Sequence, residues 1–289
     1  MQASPELSII IVNWNSREFL RKCLLSLRAA ENSVEYEVIV VDNASYDGCE
    51  AMLRSDFPGV SFVQAGANLG FARGNNLGVT FSKGKQLLFL NPDTEIVGAA
   101  LPTLMAALSA EPRAGIVGAR LLNSDGSVQI ESVKAFPTII NQVVEFQFLQ
   151  KRFPQLKMWG ISPLFSRTNT PMAVDVVSGA CLLIKRDIFE SVGGFTERYF
   201  MYPEDVDLCW KVKEAGWVTM LAGGATVIHH GGGSSALAPV SQFAAVLIRE
   251  SRFRFFRHSR GVVYSAVYRG AIALSAACRL LVLVAAYPL

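Results

Sequence analysis

The sequence is poor in the residues that define several classes of protein. It has five cysteines in 289 residues, an odd number with no two close enough for a CxxC ligand pair, which argues against a disulfide scaffold and a structural zinc site. Charged residues make up 18% of the chain and hydrophobic residues 51%, whereas an average domain has about 25% charged residues. This apolar composition argues against disorder and low-complexity sequence. A packed core of substantial size is expected instead.

The chain also lacks the apolar stretches that direct proteins into or across membranes. At the N-terminus, Pro5 and Glu6 precede a short apolar run with no basic region before it, so we expect no secretory signal and a cytoplasmic location. Near the C-terminus the uncharged runs 261–268, 270–278 and 280–289 are each shorter than the roughly 18 apolar residues of a spanning helix. We therefore expect a helix that lies on the membrane surface.

The net positive charge of the chain comes from this C-terminal tail. From Arg249 onward seven arginines stand against one acid, Glu250, a local charge of +6 that leaves −3 for residues 1–248 of a chain with net +3. The arginines alternate with phenylalanines at 252–257, which predicts an amphipathic helix on the anionic cytoplasmic face of the membrane. The alternative is a helix packed on the rest of the chain or in a dimer. We expect no nucleic-acid partner and leave a homo-oligomer open.

Strand and helix patterns alternate along the first hundred residues. Apolar runs occur at 7–12, 38–41, 60–63 and 87–90, the first of them largely β-branched, with helical patterns between them. This alternation predicts an α/β fold with a mostly parallel sheet. In such sheets ligands bind beyond the carboxyl ends of the strands. Polar residues that follow the four runs, Asn13, Asp42, Asn68 and Asp93, are therefore the first candidates for a site.

Two of these positions suit a nucleotide. The first turn, residues 13–16, lacks GxGxxG, which weakens a dinucleotide site, and it lacks the basic glycine-rich loop of a nucleotidyltransferase. Asp42 is able to accept hydrogen bonds from a pyrimidine N–H or a ribose hydroxyl; the alternative is an Asx turn or helix cap. The segment 68–76 is small and polar with one positive charge, Arg73. It suits a loop around a nucleotide sugar, or a tight turn and close helix packing at its glycines.

Two further motifs suit a metal ion and a proton acceptor. Asn91-Pro92-Asp93 offers an amide oxygen and a carboxylate, ligands that Mg²⁺ and Mn²⁺ prefer, although the same tripeptide is a common turn. His229, before a run of glycines, would add an imidazole, which Mn²⁺ tolerates better than Mg²⁺; the alternative is a linker. Glu204 and Asp205 begin a helical pattern, where an acid either complements the helix dipole or serves as a general base.

Taken in order, the motifs resemble the family-two glycosyltransferases with the GT-A (Rossmann-like) fold, and most of all their bacterial rhamnosyltransferase-like branch. The resemblance covers residues 7 to 235 and rests on the ordered set rather than on any one motif. The set is IIIVNWN at 9–15, VVDNAS at 40–45, NLGFARGNN at 68–76, LNPD at 90–93, SGAC at 178–181, GGF at 193–195, EDVDLC at 204–209 and HHGG at 229–232.

The resemblance implies an enzyme that moves a sugar from a nucleotide-diphosphate donor to an acceptor hydroxyl, with inversion at the anomeric carbon. It implies dTDP-rhamnose as donor, with UDP-sugars as the alternative, and a lipid-linked or polysaccharide acceptor in bacterial cell-surface glycan synthesis. A non-catalytic nucleotide-sugar-binding membrane scaffold is the alternative from another class. The expected division is a catalytic domain, 1–235, and a helical membrane-associating extension, 236–289, peripheral on the inner face of the membrane.

By the same resemblance, Asp205 is the catalytic base, with Glu204 beside it, and Asp93 is the acid that binds Mg²⁺ or Mn²⁺. Asn91 stands where many members have aspartate, so His229 is expected to assist the metal. Asp42 corresponds to the acid that binds the nucleotide base. The remaining residues expected to bind the donor or to lie beside it are Asn13, Asn68, Gly70, Arg73, Asn75, Asn91, Gly179 and Ala180.

Overall fold

A computed structural model describes residues 5–30, 34–144, 147–166, 168–199, 203–231 and 242–286. The strands are β1 (Leu7–Asn13), β2 (Tyr36–Asp42), β3 (Ser61–Gln64), β4 (Gln86–Leu90), β5 (Thr94–Ile96), β6 (Ala114–Leu122), β7 (Val133–Lys134), β8 (Met172–Val174), β9 (Val176–Val177), β10 (Cys181–Lys185) and β11 (Val218–His229). The helices are α1 (Arg17–Ala29), α2 (Cys49–Asp56), α3 (Gly70–Thr80), α4 (Ala100–Ala110), α5 (Ile139–Val143), α6 (Gln147–Arg152), α7 (Arg186–Ser191), α8 (Glu204–Glu214), α9 (Gln242–Ser259) and α10 (Gly261–Ala286).

Nine of the described strands form one sheet, in the order β3-β2-β1-β4-β10-β6-β11-β5, with β8 also paired to β11. Strands β1, β2, β3, β4, β6 and β11 run in one direction, and β5, β8 and β10 run against them. The predicted α/β fold with a mostly parallel sheet is confirmed. The register of β1 and β2 places Asn13 opposite Asp42, so both candidates lie side by side at the carboxyl edge.

Helices cover both faces of this sheet, which is why its strands are apolar throughout. Ile9, Ile10 and Ile11 are fully buried, and β1 therefore has no solvent-facing side. On one face α1 packs through Leu20, Cys23, Leu24 and Leu27, as the helical spacing predicts. On the other face α3 lies so close to β1 that a Cβ at Gly78 would come within 2.5 Å of a methyl of Ile10. The glycines of the 68–76 segment and its helix thus serve close packing as well as the site.

The two C-terminal helices differ in what covers them. In α9, Phe255 and Phe256 are fully buried, and the ring of Phe255 lies edge-on 6.1 Å from Trp210 of α8. The expectation that these phenylalanines face a membrane is therefore wrong. Burial against the indole and its neighbours removes their apolar surface from water without lipid. The alternative, a helix packed on the rest of the chain, describes α9 correctly.

Helix α10 runs unbroken for 26 residues, and its stretch Gly261–Leu281 is long and apolar enough to cross a membrane, by length and composition, with 11% of it buried. The prediction from uncharged run lengths treated Arg269 and Arg279 as interruptions, but the helix continues through both. The predicted division between residues 235 and 236 lies outside the described residues.

Candidate active site

A cleft of about 640 Å³ opens at the carboxyl ends of β1 and β4. Nine of the residues proposed from the sequence line it: Asn68, Gly70, Asn91, Asp93, Gly179, Ala180, Glu204, Asp205 and His229. Four others, Asn13, Asp42, Arg73 and Asn75, lie outside its lining. The strand order explains the convergence, because β10 and β11, late in the chain, return to the edge of the sheet where β4 ends.

The candidate cation ligands meet on one side of the cleft. Antiparallel pairing of β11 with β5 sets His229 opposite Thr94, and the His230 N–H donates to the Asp93 carbonyl at 2.9 Å. His229 Nε2 consequently lies 3.4 Å from Asp93 Oδ1 and 3.3 Å from Asn91 Nδ2. A carboxylate and an imidazole in this arrangement, largely buried but open to the cleft, fit a small divalent cation.

The candidate base lies on the other side, at the start of α8. Asp205 Oδ1 accepts from the Val206 N–H at 2.8 Å, and Oδ2 accepts from the Gly179 N–H at 3.3 Å. Lys134 Nζ lies 4.0 Å from the same Oδ2. These contacts fix the orientation of the carboxylate at the start of the helix. The side chain is 19% exposed, so it is reachable by a hydroxyl in the cleft.

The two acids beside Asp205 are set differently. Glu204 is 5% exposed and lines the cleft. Asp207 is fully buried, accepts hydrogen bonds from Tyr199 and Thr196, and lies 3.8 Å from Lys211 Nζ. Its carboxylate is enclosed by protein donors and anchors α8. The three acids of one sequence motif therefore separate into two that border the cleft and one that supports the helix.

Asp42 is enclosed in the same way as Asp207. Its carboxylate is 1% exposed and accepts hydrogen bonds from Ser45, Gln64, Asn13 and Cys49. Burial alone would raise the pKa of Asp42, but these hydrogen bonds outweigh it and hold the pKa below its ordinary value. The predicted role of Asp42 in binding the nucleotide base stays a prediction.

Asn13, which donates to Asp42, has a side-chain oxygen that remains available to a ligand. Its Nδ2 donates to Asp42 at 2.8 Å, and its buried Oδ1 has no hydrogen-bond partner in the described part of the chain. An unsatisfied buried acceptor is costly unless a ligand supplies a donor. The group next to the cleft thus retains one acceptor for an N–H or O–H of a bound molecule.

Asp42, Asp47 and Cys49 form a second group that could hold an ion, since their ligand atoms lie within 4.8 Å of one another. Burial and the neighbouring carboxylates raise the pKa of the Cys49 thiol, so the thiol keeps its proton and lies 3.4 Å from Asp42 Oδ1 as a donor. Asp47 accepts from the backbone N–H groups of Arg17 and Cys49. A cation here would have to displace several of these donors, whereas the pair of Asp93 and His229 opens directly to the cleft.

The 68–76 segment is held by its own contacts. Asn68 Oδ1 accepts from the Gly70 N–H at 2.9 Å, and buried Asn75 donates to the Phe71 carbonyl at 3.0 Å. Arg73 is exposed, with its Nε 3.9 Å from Glu197. Asn68 and Gly70 border the cleft, while Asn75 fixes the first turn of α3 and Arg73 lies at the surface.

Several residues of the cleft went unnoticed in the sequence. Gln129, Glu131 and Lys134 come from a stretch without clear periodicity, so no pattern could have identified them. Trp14 had a signal, a large aromatic side chain in the turn after β1, and it is 42% exposed at the mouth of the site. Close packing favours glycine at position 179, because a Cβ there would lie 3.1 Å from the ring of Phe71 and 3.6 Å from Asp205.

The fold and this cleft define a class of protein, an α/β protein with its ligand site at the carboxyl edge of a mostly parallel sheet. The family model described as Glycosyl transferase family 2 matches residues 8–193. The chain belongs to this family and is a glycosyltransferase.

Two relatives indicate the branch. N-acetylglucosaminyl-diphospho-decaprenol L-rhamnosyltransferase of Mycobacterium tuberculosis is 32% identical over 252 residues, which covers 83% of this chain and 80% of that protein. Rhamnosyltransferase WbbL of Escherichia coli K12 is 28% identical over 217 residues, 72% of this chain and 77% of the relative. The resemblance to the rhamnosyltransferase-like branch is thereby confirmed.

A solved structure confirms the GT-A fold. The mannosyltransferase PcManGT of Pyrobaculum calidifontis, in complex with GDP-mannose and Mn²⁺, matches with a TM-score of 0.61 at 18% identity, over 100% of this chain and 77% of the other. At this identity the likeness concerns the architecture.

Proposed function

We propose that the chain transfers rhamnose from dTDP-rhamnose, with inversion, to a hydroxyl of a lipid-linked or polysaccharide acceptor in bacterial cell-surface glycan synthesis. The observation that carries the proposal is the convergence of the Asp93–His229 pair and Asp205 on one cleft. The names of the two rhamnosyltransferase relatives support the sugar, and the lipid-diphosphate substrate in one of those names supports the acceptor class.

The donor end of the cleft would be built around the diphosphate. Asp93 and His229 would hold a Mg²⁺ or Mn²⁺ ion, with Asn91 beside them. When bound, the ion would neutralise the charge that collects on the leaving diphosphate. Asn13 would offer its buried Oδ1 to the nucleoside, and Asp42, which accepts from Asn13 Nδ2, would hold that amide in place. Asn68 and Gly70 would form the wall beside the donor, with buried Asn75 supporting them from α3 and Arg73 at the surface nearby, and Gly179 and Ala180 would border the sugar.

Asp205 would act as general base. As the acceptor oxygen bonds to the anomeric carbon, the bond from that carbon to the diphosphate oxygen breaks, and the acceptor proton passes to a carboxylate oxygen of Asp205. Attack from the face opposite the leaving group inverts the configuration. The backbone N–H groups of Val206 and Gly179 already orient the carboxylate, so little reorganisation is needed when the acceptor arrives. Glu204, buried next to it, would help to shape the acceptor side.

Helix α10 would bring the enzyme to a lipid-linked acceptor. The exposed large apolar side chains described on it are Val262, Val263, Val267, Leu274, Leu280, Leu281 and Val284, and five of them, Val263, Val267, Leu274, Leu281 and Val284, recur at helical spacing. The two arginines of the helix turn to the protein instead, because Arg269 lies over the ring of Phe253 at 4.3 Å and Arg279 donates to the Val143 carbonyl at 3.0 Å. An uncharged exposed stripe of this kind suits the acyl boundary of a bilayer. The enzyme would then be peripheral on the cytoplasmic face.

The test is the melting temperature of the purified protein with dTDP-rhamnose, UDP-glucose, UDP-galactose, GDP-mannose or NAD, each with Mn²⁺ or with EDTA. A ligand at 100 times its Kd stabilises the native state by about 2.7 kcal/mol. We expect a metal-dependent rise with dTDP-rhamnose that exceeds the others. A higher melting temperature with a UDP-sugar alone would identify that sugar nucleotide as the donor instead of dTDP-rhamnose. A higher melting temperature with NAD alone would contradict the proposed site.

Binding of dTDP-rhamnose without any transfer to a lipid-linked acceptor would favour a nucleotide-sugar-binding scaffold. The discriminating assay is incubation with a polyprenyl-diphosphate-linked sugar, followed by mass spectrometry of the lipid fraction. We expect the lipid to gain one deoxyhexose.

A further inference from the structure

The two ring nitrogens of His229 have different partners. Nε2 lies 3.4 Å from Asp93 Oδ1, on the cleft side, and Nδ1 lies 2.7 Å from Oε1 of Gln129. A neutral imidazole carries one N–H, and only the nitrogen without the proton has a lone pair for a cation. Nε2 lies near an acceptor, Asp93 Oδ1 at 3.4 Å, and also near a donor, Asn91 Nδ2 at 3.3 Å, so its own contacts do not fix the position of the proton. The shorter contact of Nδ1 with Gln129, at 2.7 Å, therefore decides which nitrogen is available.

The amide of Gln129 is oriented by a chain of hydrogen bonds that ends on a carboxylate. The Ser127 hydroxyl donates to Asp125 at 2.6 Å, so its oxygen accepts from Asn123 Nδ2 at 2.9 Å. Asn123 Oδ1 then accepts from Gln129 Nε2 at 3.0 Å. The hydrogen bonds from Ser127 hold the pKa of Asp125 below its usual value, so this end of the chain has only lone pairs to offer. Each bond consequently points the same way.

We propose that Gln129 is a positioning residue, which holds His229 with its proton on Nδ1 and its Nε2 lone pair beside Asp93 for the divalent cation. The direction of the chain leaves Oε1 of Gln129 as an acceptor, and His229 Nδ1–H is the donor it meets. This inference rests on the cation site of the proposed function. It assigns a role to residues 123–129, which the reaction itself does not use.

The next residue provides an internal contrast. His230 Nε2 lies 2.7 Å from a carboxylate oxygen of Glu95, and His230 Nδ1 lies 2.8 Å from the Ser124 hydroxyl. A carboxylate accepts, so neutral His230 carries its proton on Nε2 and accepts from Ser124 through Nδ1. The two consecutive histidines thus hold opposite tautomers.

Long-range ¹H–¹⁵N NMR of the full chain with labelled histidine reads both tautomers directly, since the sequence contains three histidines. His229→Asn assigns the relevant signals. Above the titration of the rings, we expect the Nδ1–H pattern for His229 and the Nε2–H pattern for His230. In Gln129→Leu the His229 pattern should shift to Nε2–H. Mn²⁺ affinity, measured by electron paramagnetic resonance without donor, should fall about 10- to 100-fold, as is typical when an outer-sphere partner is lost.

Two variants control this experiment. Ser124→Ala removes the partner of His230 from the same loop and should leave both the His229 tautomer and the Mn²⁺ affinity unchanged. Gln129→Glu keeps an oxygen for Nδ1–H and should retain both. If Gln129→Leu does not fold, Asn123→Leu interrupts the chain one bond further away and should show a smaller change in the same direction.

An Nε2–H pattern for His229 in the wild-type protein, or an unchanged pattern in Gln129→Leu, would overturn the role of Gln129. The expected tautomers in a wild-type protein that binds no Mn²⁺ would overturn the cation site itself, and the positioning role with it. The two failures are therefore distinguishable.

Discussion

Asp42 and Asp93 occupy equivalent places in the fold, yet their surroundings are opposite. Each follows a parallel strand at the carboxyl edge of the sheet and is less than a tenth exposed. Asp42 accepts hydrogen bonds from four side chains, whereas Asp93 lines the cleft with its Oδ1 3.4 Å from His229 Nε2. The difference teaches that burial alone does not mark a ligand site. What matters is whether the carboxylate borders the cleft, as that of Asp93 does and that of Asp42 does not.

Asp205 lines the same cleft as Asp93, and loss of its carboxylate should have the largest effect on turnover. Asp205→Asn keeps the shape of the cleft but cannot accept the acceptor proton. We expect turnover to fall about 10²- to 10⁴-fold, the usual value of general-base catalysis, with donor affinity preserved. Initial rates and a donor titration check this. Glu214→Gln, an exposed acid at the end of the same helix, is the matched control and should behave as wild type.

Asp93→Ala should have the next largest effect. Loss of the carboxylate leaves His229 as the main cation ligand, so the gain in dTDP-rhamnose affinity that Mg²⁺ or Mn²⁺ provides should disappear. A tenfold loss corresponds to about 1.4 kcal/mol, and we expect at least that. Calorimetric titration with metal and with EDTA measures it. An undiminished response to the metal would place the cation elsewhere.

Asp42→Asn tests the carboxylate that the protein encloses, and its main effect should be on the free energy of unfolding. The new amide N–H₂ meets donors where the carboxylate accepted, so we expect a loss of about 1–3 kcal/mol in the free energy of unfolding. Because the folded pKa of Asp42 lies below the ordinary value of 3.8, its contribution is complete above that pH and is lost as the pH falls through the folded pKa. Urea denaturation of both proteins between pH 3 and pH 7 should show their difference shrinking in acid.

The same distinction between covered and open surfaces applies to the tail, where the expected effect on catalysis is smallest. Leu274→Glu with Leu281→Glu should abolish flotation with anionic liposomes and leave turnover on a soluble acceptor unchanged. Glu250→Gln, on the basic helix α9, should float as wild type does. Flotation of the double variant to the wild-type extent would contradict a lipid contact through α10.

The sequence predicts the frame of the fold and most of the residues around the cleft, for reasons of locality. Buried strands such as β1 and the polar residues after them are encoded within a few positions, and Asp93, Asp205 and His229 stand in short motifs. The partners of Asp42 were predictable only in part, because the Asx turn accounts for Ser45, three residues further on, whereas Gln64 reaches Asp42 through the register of β2 with β3. The contact of Gln129 with His229 could not be predicted from the sequence either, because it depends on where β11 ends.

The tail shows the same limit. A helix in which phenylalanines alternate with arginines is able to pack against either lipid or protein. Only the position of Trp210 and its neighbours decides that Phe255 and Phe256 are covered while the apolar stripe of α10 stays exposed.

The most direct test of the account is a Mn²⁺ titration, followed by electron paramagnetic resonance, of Asp93→Ala and Asp47→Asn beside the wild type. These variants distinguish a cation at Asp93 and His229 from one at the group of Asp42, Asp47 and Cys49. We expect Asp47→Asn to bind Mn²⁺ as the wild type does and Asp93→Ala to lose most of its affinity. Loss of affinity in Asp47→Asn, with Asp93→Ala unaffected, would place the ion in the closed group and contradict the assignment of the cleft.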